Sequence, residues 1–373
     1  MVTGQQGQGR FTSTSYYAFY VNVYFVIINT LFNTIFIILG VPEYESQNLE
    51  SKLRAELVDT RRAAVAESTQ RNLHTQWRSY TRFCTELGTN QIPITIDKIC
   101  LYAQYLSHRV KSPDTIRNYV SGICTYINLK GGSTPNLGVP VFKITMRGLR
   151  NIMKHKVKRA RPMTPEILAE IYTLLDHTDP FHITIWNALV LGFFLLLRKS
   201  NLVPNKPQEF SPQKQLTGDK IKLCENAALV KITWTKTIQD GHRELNIPLL
   251  KIPNSPLCPV TALSNLAQLI GLQKGKPVLR YPTKKGWAIL TYMQYNKALK
   301  TLIKYTGRNP SEYSTHSQRR GGASYAHEIG LSALEIQTLG DWRSEAYKAY
   351  IEDTLKVRTK AAFKIKVALK NNT

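Results

Sequence analysis

Four stretches of the chain hold residue types suited to handling an anion. They are Arg198 after a long apolar run, Lys236 in "WTKT", His316 and Arg319 in "HSQRRGGASYA", and Trp342, Tyr347 and Tyr350 in "LGDWRSEAYKAYI". A guanidinium at the edge of a core can grip a phosphate through two parallel hydrogen bonds. At a helix C-terminus it can equally serve to offset the dipole, a task open to Lys199 as well. Lys236 continues the row Val230, Ile232, Trp234 by period two, with Lys231 and Thr235 on the other face. A lysine there either snorkels to solvent or presents its ammonium to a site beneath the strand. "SEYST" is rich in capping residues, so a helix starts beside His316 and puts Arg319 one turn on along the same face. That is a basic helix start or an anion site. Tyr347 and Tyr350, one turn apart in an amphipathic C-terminal helix, have the spacing of core tyrosines.

The elements that must position these residues are mainly α, with a small β-hairpin. A first helix over about 61–87 places Leu73, Trp77, Tyr80, Cys84 and Leu87 on one face. A second runs over about 96–110, and a third starts with Ser112 as N-cap and Pro113 in the first position. A fourth carries "FKITMRGLRNIMKHK". Beyond it, "TPEIL" starts a capped helix, and "FHITIWNALVLGFFLLLRKSNLV" reads as a helix buried at the centre of a domain and ending at Arg198. "AALVKITWTKTIQDGHRELNIPL" is a hairpin about Asp240-Gly241. After "LCPVTALSNLAQLIG" and a loop at "PTKKGWA", the chain reads as helical to about residue 368. Within that stretch Ser332 and Glu335 form a capping box for a short helix ending at Gly340.

The formal charge is +25, with 50 basic against 25 acidic residues, which points to a polyanionic partner, nucleic acid before anionic membrane. A hydrophobic share of 43% excludes global disorder. The five cysteines are odd in number and scattered, which disfavours a disulfide framework and a zinc site and suits a reducing interior. On the first helix, Arg71, His74, Arg78 and Arg82 line the face opposite the apolar one, with no acid between Glu67 and Glu86. Such a stripe suits a face laid along phosphates. Lys154, Lys156, Lys158, Arg159 and Arg161 crowd a polar, helix-breaking linker that could lie on DNA or serve as a nuclear import signal. Gly321 and Gly322 permit close approach of backbone, to a neighbouring helix or to DNA.

Taken in order, an Arg after an apolar helix, a Lys on a hairpin, H-x-x-R, a Trp after Gly-Asp and a Tyr eight residues on resemble the tyrosine recombinase (phage integrase) family. The resemblance covers about residues 60 to 365. "TPEIL", "LRKSNL", "WTKT", "HSQRRGGASYA" and "LGDWRSEAYKAYI" look most like the recombinases of DIRS-like and Ngaro-like eukaryotic mobile elements. The resemblance implies a helical core-binding domain followed by a catalytic domain, a clamp around double-stranded DNA, and a DNA-dependent homotetramer. It implies that Arg198 and Arg319 hold the scissile phosphate, so that neither metal nor cofactor is needed. His316 would add a hydrogen bond and proton handling, and Trp342 would support the site where many relatives have histidine. Lys236 would protonate the leaving 5′-oxygen, and Tyr350 would attack phosphorus, giving a 3′-phosphotyrosyl intermediate without ATP. Tyr347 is the rival nucleophile, ranked second on its spacing from Trp342. Asn201 departs from the pattern, since many relatives carry an acid three residues after the first Arg. The alternative function is a domesticated DNA-binding protein that no longer cuts.

The expected organisation is an extension over 1–58, a helical DNA-binding domain over 59–153, a basic linker over 154–163, a catalytic domain over 164–367 and a tail over 368–373. The segment after Tyr350 would dock onto a neighbouring protomer, and the expected location is the nucleus. One segment stands apart. Residues 11–42 carry no charge and are long enough to span a bilayer, although Asn22, Asn29 and Asn33 and weak flanking charge oppose it. A membrane helix and a non-native extension remain the two readings; membrane contact, if any, would come through this segment.

Overall fold

A computed structural model describes residues 43–238 and 243–352, with isolated positions at 359, 362, 363, 366 and 367. The uncharged segment over 11–42, the tip at Asp240-Gly241 and nearly all of the chain after residue 352 lie outside the described residues. Among the described residues no helix is long and apolar enough to cross a membrane. The chain divides between Val157 and Lys158 into two compact units. It is mainly helical with small antiparallel sheets.

The first unit holds α1 (Glu43–Ala63), α2 (Glu67–Leu87), α3 (Ile96–Ser107), α4 (Pro113–Leu129) and α5 (Pro140–Met153). The single helix expected over 61–87 is in fact two. The side-chain amide of Gln70 donates to the carbonyls of Arg62 and Val65, satisfying the last turn of α1 and letting the chain break before Glu67. α2 buries Leu73, Tyr80, Phe83 and Cys84, while Leu87 is exposed because Gly88, in the left-handed region at φ 70°, closes the helix there. Aromatic rings knit this core: Tyr80 meets Tyr102 edge-on at 5.2 Å, and Trp77 stacks on Tyr126 at 4.9 Å. Ser112 caps α4 through the N–H of Asp114, with Pro113 in the first turn, as the sequence predicts.

The second unit is built around α7 (Pro180–Phe194), whose residues from Thr184 to Phe193 are buried on every side. Against it pack α9 (Pro259–Ile270), α10 (Tyr292–Tyr305) and α11 (Ser317–Ile329), and α6 (Pro165–Thr173) meets it through Tyr172, edge-on to Trp186 at 5.1 Å. The hairpin strands β2 (Ala227–Ile232) and β3 (Leu245–Leu250) pair antiparallel, with Val230 opposite Ile247, and a short β1 (Ile221–Leu223) extends the sheet along β2. "PTKKGWA" is not a loop but a second hairpin, β4 (Arg280–Thr283) with β5 (Gly286–Ile289). Its four-residue strands are too short to show an alternating pattern, and its turn is closed by Thr283 Oγ1 donating to the carbonyl of Gly286 at 2.7 Å.

Two further readings are corrected. The apolar helix does not reach Arg198: it stops at Phe194, and Leu196 adopts φ 48°. A left-handed residue cannot continue an α-helix, so Arg198 instead sits at the N-cap of the short α8 (Lys199–Leu202) and caps no helix dipole. Nor is the chain helical directly after α12 (Ala333–Gly340): Tyr347 lies in a 3-10 turn, Glu345–Ala349, with Tyr350 as its C-cap, whereas the isolated described positions from 359 to 367 are helical as expected.

Gly321 and Gly322 settle what approaches them. A Cβ on Gly321 would collide with the backbone of Met163, and one on Gly322 with the carbonyl of Phe193 and the side chain of Leu196. Both glycines therefore serve packing within the unit, letting α11 lie directly on the end of α7. Gly321→Ala is expected to destabilise the full chain by about 1–3 kcal/mol, because backbone cannot yield as a side-chain tip can. The denaturant midpoint measures this, and an unchanged midpoint would refute the close contact.

Candidate active site

The site is assembled at the place where α11, α12 and the segment after α7 meet. Arg319, on the first turn of α11, is 2% exposed. Its guanidinium donates to the carbonyl of Leu196 and, at 2.7 Å, to the carbonyl of Gly340. One fork thus joins the loop that presents Arg198 to the C-terminus of α12. Burial, and then the positive charge of Arg198, push the Arg319 guanidinium below its ordinary value, while Tyr350 and Asp341 act in the opposite direction. Two guanidiniums held this close, one of them dry, favour the arrival of an anion.

Trp342 lays its ring over Arg319, with the guanidinium carbon 4.0 Å from the ring centroid. Gly340 makes room for that ring, since a Cβ there would overlap it. Tyr350 also faces Arg319, at 5.2 Å from its ring centroid to the guanidinium carbon, and lies 5.2 Å from Trp342. Tyr347 is the more buried of the pair, at 6% exposure, and packs with Leu196, Ala323, Ala326 and Ile336. Tyr350 is half-buried. Its backbone is held to α11 by Ser324, whose hydroxyl donates to the Tyr350 carbonyl at 3.1 Å and accepts from the N–H of Glu352 at 3.0 Å. Two donors at the centre have no acceptor among the described residues: Arg319 Nε and Trp342 Nε1.

His316 stands at the N-cap of α11, one turn before Arg319. His316 is exposed at the surface, yet partial desolvation by the protein on one side, and then the charges of Lys199, Arg319 and Arg198, lower its pKa, so the imidazole is neutral at pH 7 and can accept a proton. Arg198 is half-buried, and Asn201 donates its amide to the carbonyl of Trp234 at 2.6 Å. Asn201 thus braces the hairpin.

Lys236 does not continue the inward row. β2 ends at Ile232, and Thr235 turns inward to 4% exposure while Lys236 is exposed in the following turn. The alternation lapses because Thr235 is held by Asp341: its hydroxyl donates to Asp341 Oδ2 at 2.5 Å. Thr237 donates to the same oxygen and Arg243 to Oδ1. Burial works against the Asp341 carboxylate, yet these donors hold its pKa below the usual range. Sequence reasoning passed over Asp341. The signal available was its place directly after the glycine that ends α12.

The DNA-facing candidates fall in both units. Arg71, His74, Arg78 and Arg82 are exposed on α2, where Arg71 and Arg82 form exposed pairs with Glu67 and Glu86 at the two ends of the stripe. His74 meets Tyr126 edge-on at 5.4 Å. In the first unit Lys154, at φ 45°, closes α5, and Lys156 is exposed. In the second, Lys158, Arg159 and Arg161 are exposed, with Arg159 donating to the carbonyl of Ala349 at 3.3 Å and Arg161 paired with Glu312 at 3.0 Å. Among the described residues no group of three His, Cys, Asp or Glu side chains could hold a metal ion.

No family model matches the sequence, and no curated protein matches it. Solved structures do. A lambda integrase dimer bound to a COC′ core site aligns at TM-score 0.51 and 16% identity, covering 82% of this chain and 96% of that one. The Tn1549 transposon integrase in complex with transposon right end DNA aligns at TM-score 0.55 and 15% identity, covering 84% and 98%. These neighbours are tyrosine recombinases, and the second unit has the fold of their catalytic domains.

The lowered pKa of His316 carries a stability signature. Its folded value lies below the ordinary 6.5, so the unfolded chain takes up the proton first and stability falls as pH drops through 6.5. Above that value the group contributes no slope. Urea midpoints at about pH 7.5 and about pH 5.5 should show a larger loss for the wild type than for His316→Gln. Equal losses would mean that the ring titrates as in water.

Proposed function

We propose that the protein is a site-specific DNA recombinase that cuts and rejoins DNA through a covalent tyrosyl intermediate. The observation that carries this reading is the convergence of Arg319, the charge of Arg198 and the ring of Tyr350 around two buried donors without acceptors. The fold shared with DNA-bound recombinases supports it.

In this reading Arg198 and Arg319 hold the non-bridging oxygens of the scissile phosphate, and their fixed charge stabilises the pentacoordinate transition state. Tyr350 Oη attacks phosphorus, and its proton passes to the neutral His316. The P–O5′ bond breaks, and the ammonium of Lys236 delivers a proton to the leaving 5′-oxygen. The product is a 3′-phosphotyrosyl bond and a free 5′-hydroxyl, so the bond energy is conserved. Attack by a 5′-hydroxyl from a second duplex reverses the step. Trp342 walls the Arg319 side of the site, and its indole N–H adds a donor there.

The exposed bases of α2 and the run from Lys154 to Arg161 would meet the DNA backbone. Strand exchange between two duplexes needs four active sites, hence a homotetramer on DNA. The motif set resembles that of DIRS-like and Ngaro-like recombinases, which supports a mobile-element origin, and the nucleus is the compartment in which such a reaction would occur.

A suicide DNA substrate, nicked so that the 5′-hydroxyl diffuses away, should leave the wild type covalently attached to DNA. Tyr350→Phe should abolish the adduct, and Tyr347→Phe should retain it. The converse pattern would make Tyr347 the nucleophile. DNA retained without any adduct from the wild type would favour a binding protein that no longer cuts.

A further inference from the structure

Among the described residues, Asp341 is the one buried carboxylate beside the site's cations, and the proposed chemistry does not use it. It lies in the left-handed region at φ 51°, immediately after α12, and is 7% exposed. Its Oδ2 accepts from the hydroxyls of Thr235 and Thr237, the two residues that flank Lys236 in the chain. The Thr237 hydroxyl also reaches the Asp341 backbone carbonyl at 3.3 Å. Its Oδ1 accepts from Arg243, the first described residue on the return side of the hairpin. One carboxylate therefore holds both sides of the connection that links β2 to β3. The turn is also stitched to itself: Thr235 Oγ1 accepts from the N–H of Thr237 and of Ile238, each at 3.1 Å.

Lys236 thus belongs to a turn whose position is set by α12, not by its own strand. A lysine side chain has four rotatable bonds, and a general acid acts only within hydrogen-bond reach of its proton acceptor. Fixing its Cα on both sides removes backbone freedom that would otherwise dilute that geometry. The same three-residue segment, Gly340 to Trp342, holds Arg319 by a carbonyl and covers it by a ring.

Resting on the recombinase reading, we propose that Asp341 is a positioning residue for Lys236: it latches the hairpin so that the ammonium reaches the leaving 5′-oxygen. Asp341 itself transfers no proton and touches no substrate. The proton that Lys236 Nζ loses goes to O5′ as the P–O5′ bond breaks.

The test separates leaving-group protonation from general damage. Covalent adduct formation by the full chain is timed on ordinary DNA and on DNA whose scissile 5′-bridging oxygen is sulfur. A thiolate leaves without a proton, so this substrate makes the general acid dispensable. Asp341→Asn, near in shape but unable to accept from all three donors, should slow ordinary cleavage by on the order of 100-fold, the scale of a misplaced catalytic group. On the sulfur substrate it should cleave at close to the wild-type rate. Lys236→Ala should show the same pattern. Thr237→Val, which removes a single donor and leaves Asp341 intact, should show a smaller loss with the same rescue. Equal losses on both substrates, or no loss on either, overturn the latch while the recombinase reading stands. Absence of any adduct from the wild type on either substrate overturns that reading and the latch with it.

Discussion

The site depends on one buried cation. Arg319 donates to the carbonyls of Leu196 and Gly340, which lie in segments far apart in the chain. A planar fork with five donors reaches both carbonyls while keeping Nε to spare for a further acceptor, and its charge is fixed at any physiological pH. The interaction is costly to build. A guanidinium at 2% exposure loses nearly all its hydration, and Leu196 must adopt a backbone conformation that a branched side chain rarely takes. Such a cost, on the order of 1–3 kcal/mol for the backbone alone, persists only where surrounding structure over-determines it. Here the over-determination is visible. Leu196 packs into a small cluster with Ala323, Ala326, Ile336, Trp342 and Tyr347, separate from the main core of the unit.

Everything else in the site is placed relative to that fork. The loop that Leu196 belongs to delivers Arg198 two residues later, and the end of α12 delivers three devices in succession. Gly340 gives its carbonyl to Arg319, Asp341 holds the hairpin, and Trp342 folds back over the guanidinium. The folding back needs both a glycine without a Cβ in the way of the indole and a left-handed residue to reverse the chain. The order Gly-Asp-Trp is therefore a geometric requirement as much as a chemical one.

Local signals in the sequence were legible because they act over a few residues. Ser112 with Pro113, Thr164 with Pro165 and the Ser332–Glu335 capping box place helix starts where the structure has them. The hairpin before Lys236 and the glycine pair in α11 were legible on the same grounds. What escaped was set by distant partners. Strand periodicity carries Lys236 inward only while the strand lasts, and Asp341, more than a hundred residues away, ends that regularity by drawing Thr235 in. The helix before "LLLR" stops at Phe194, where Leu196 turns left-handed and gives its carbonyl to the distant Arg319, a partner that no pattern within the apolar run reveals. The break between α1 and α2 is local, yet it depends on one glutamine turning back onto carbonyls rather than on helix propensity.

The two tyrosines show how such long-range placement decides chemistry. Three residues apart, they look equivalent on an α-helix, where both would share a face. In a 3-10 turn that ends at Ala349 they are not equivalent. Tyr347 stays within the turn and is sealed in the cluster around Leu196, whereas Tyr350 leaves it with its ring toward Arg319. Ser324 then fastens the Tyr350 carbonyl and the Glu352 amide to α11. His316 and Arg319 lie on that same helix or at its cap. The distance from the anion-holding groups to the phenol is thereby measured along one rigid element, so a loop that must carry an attacking oxygen gains the precision of a helix. A tyrosine displaced by one turn in either direction would keep its neighbours in sequence and lose that ruler.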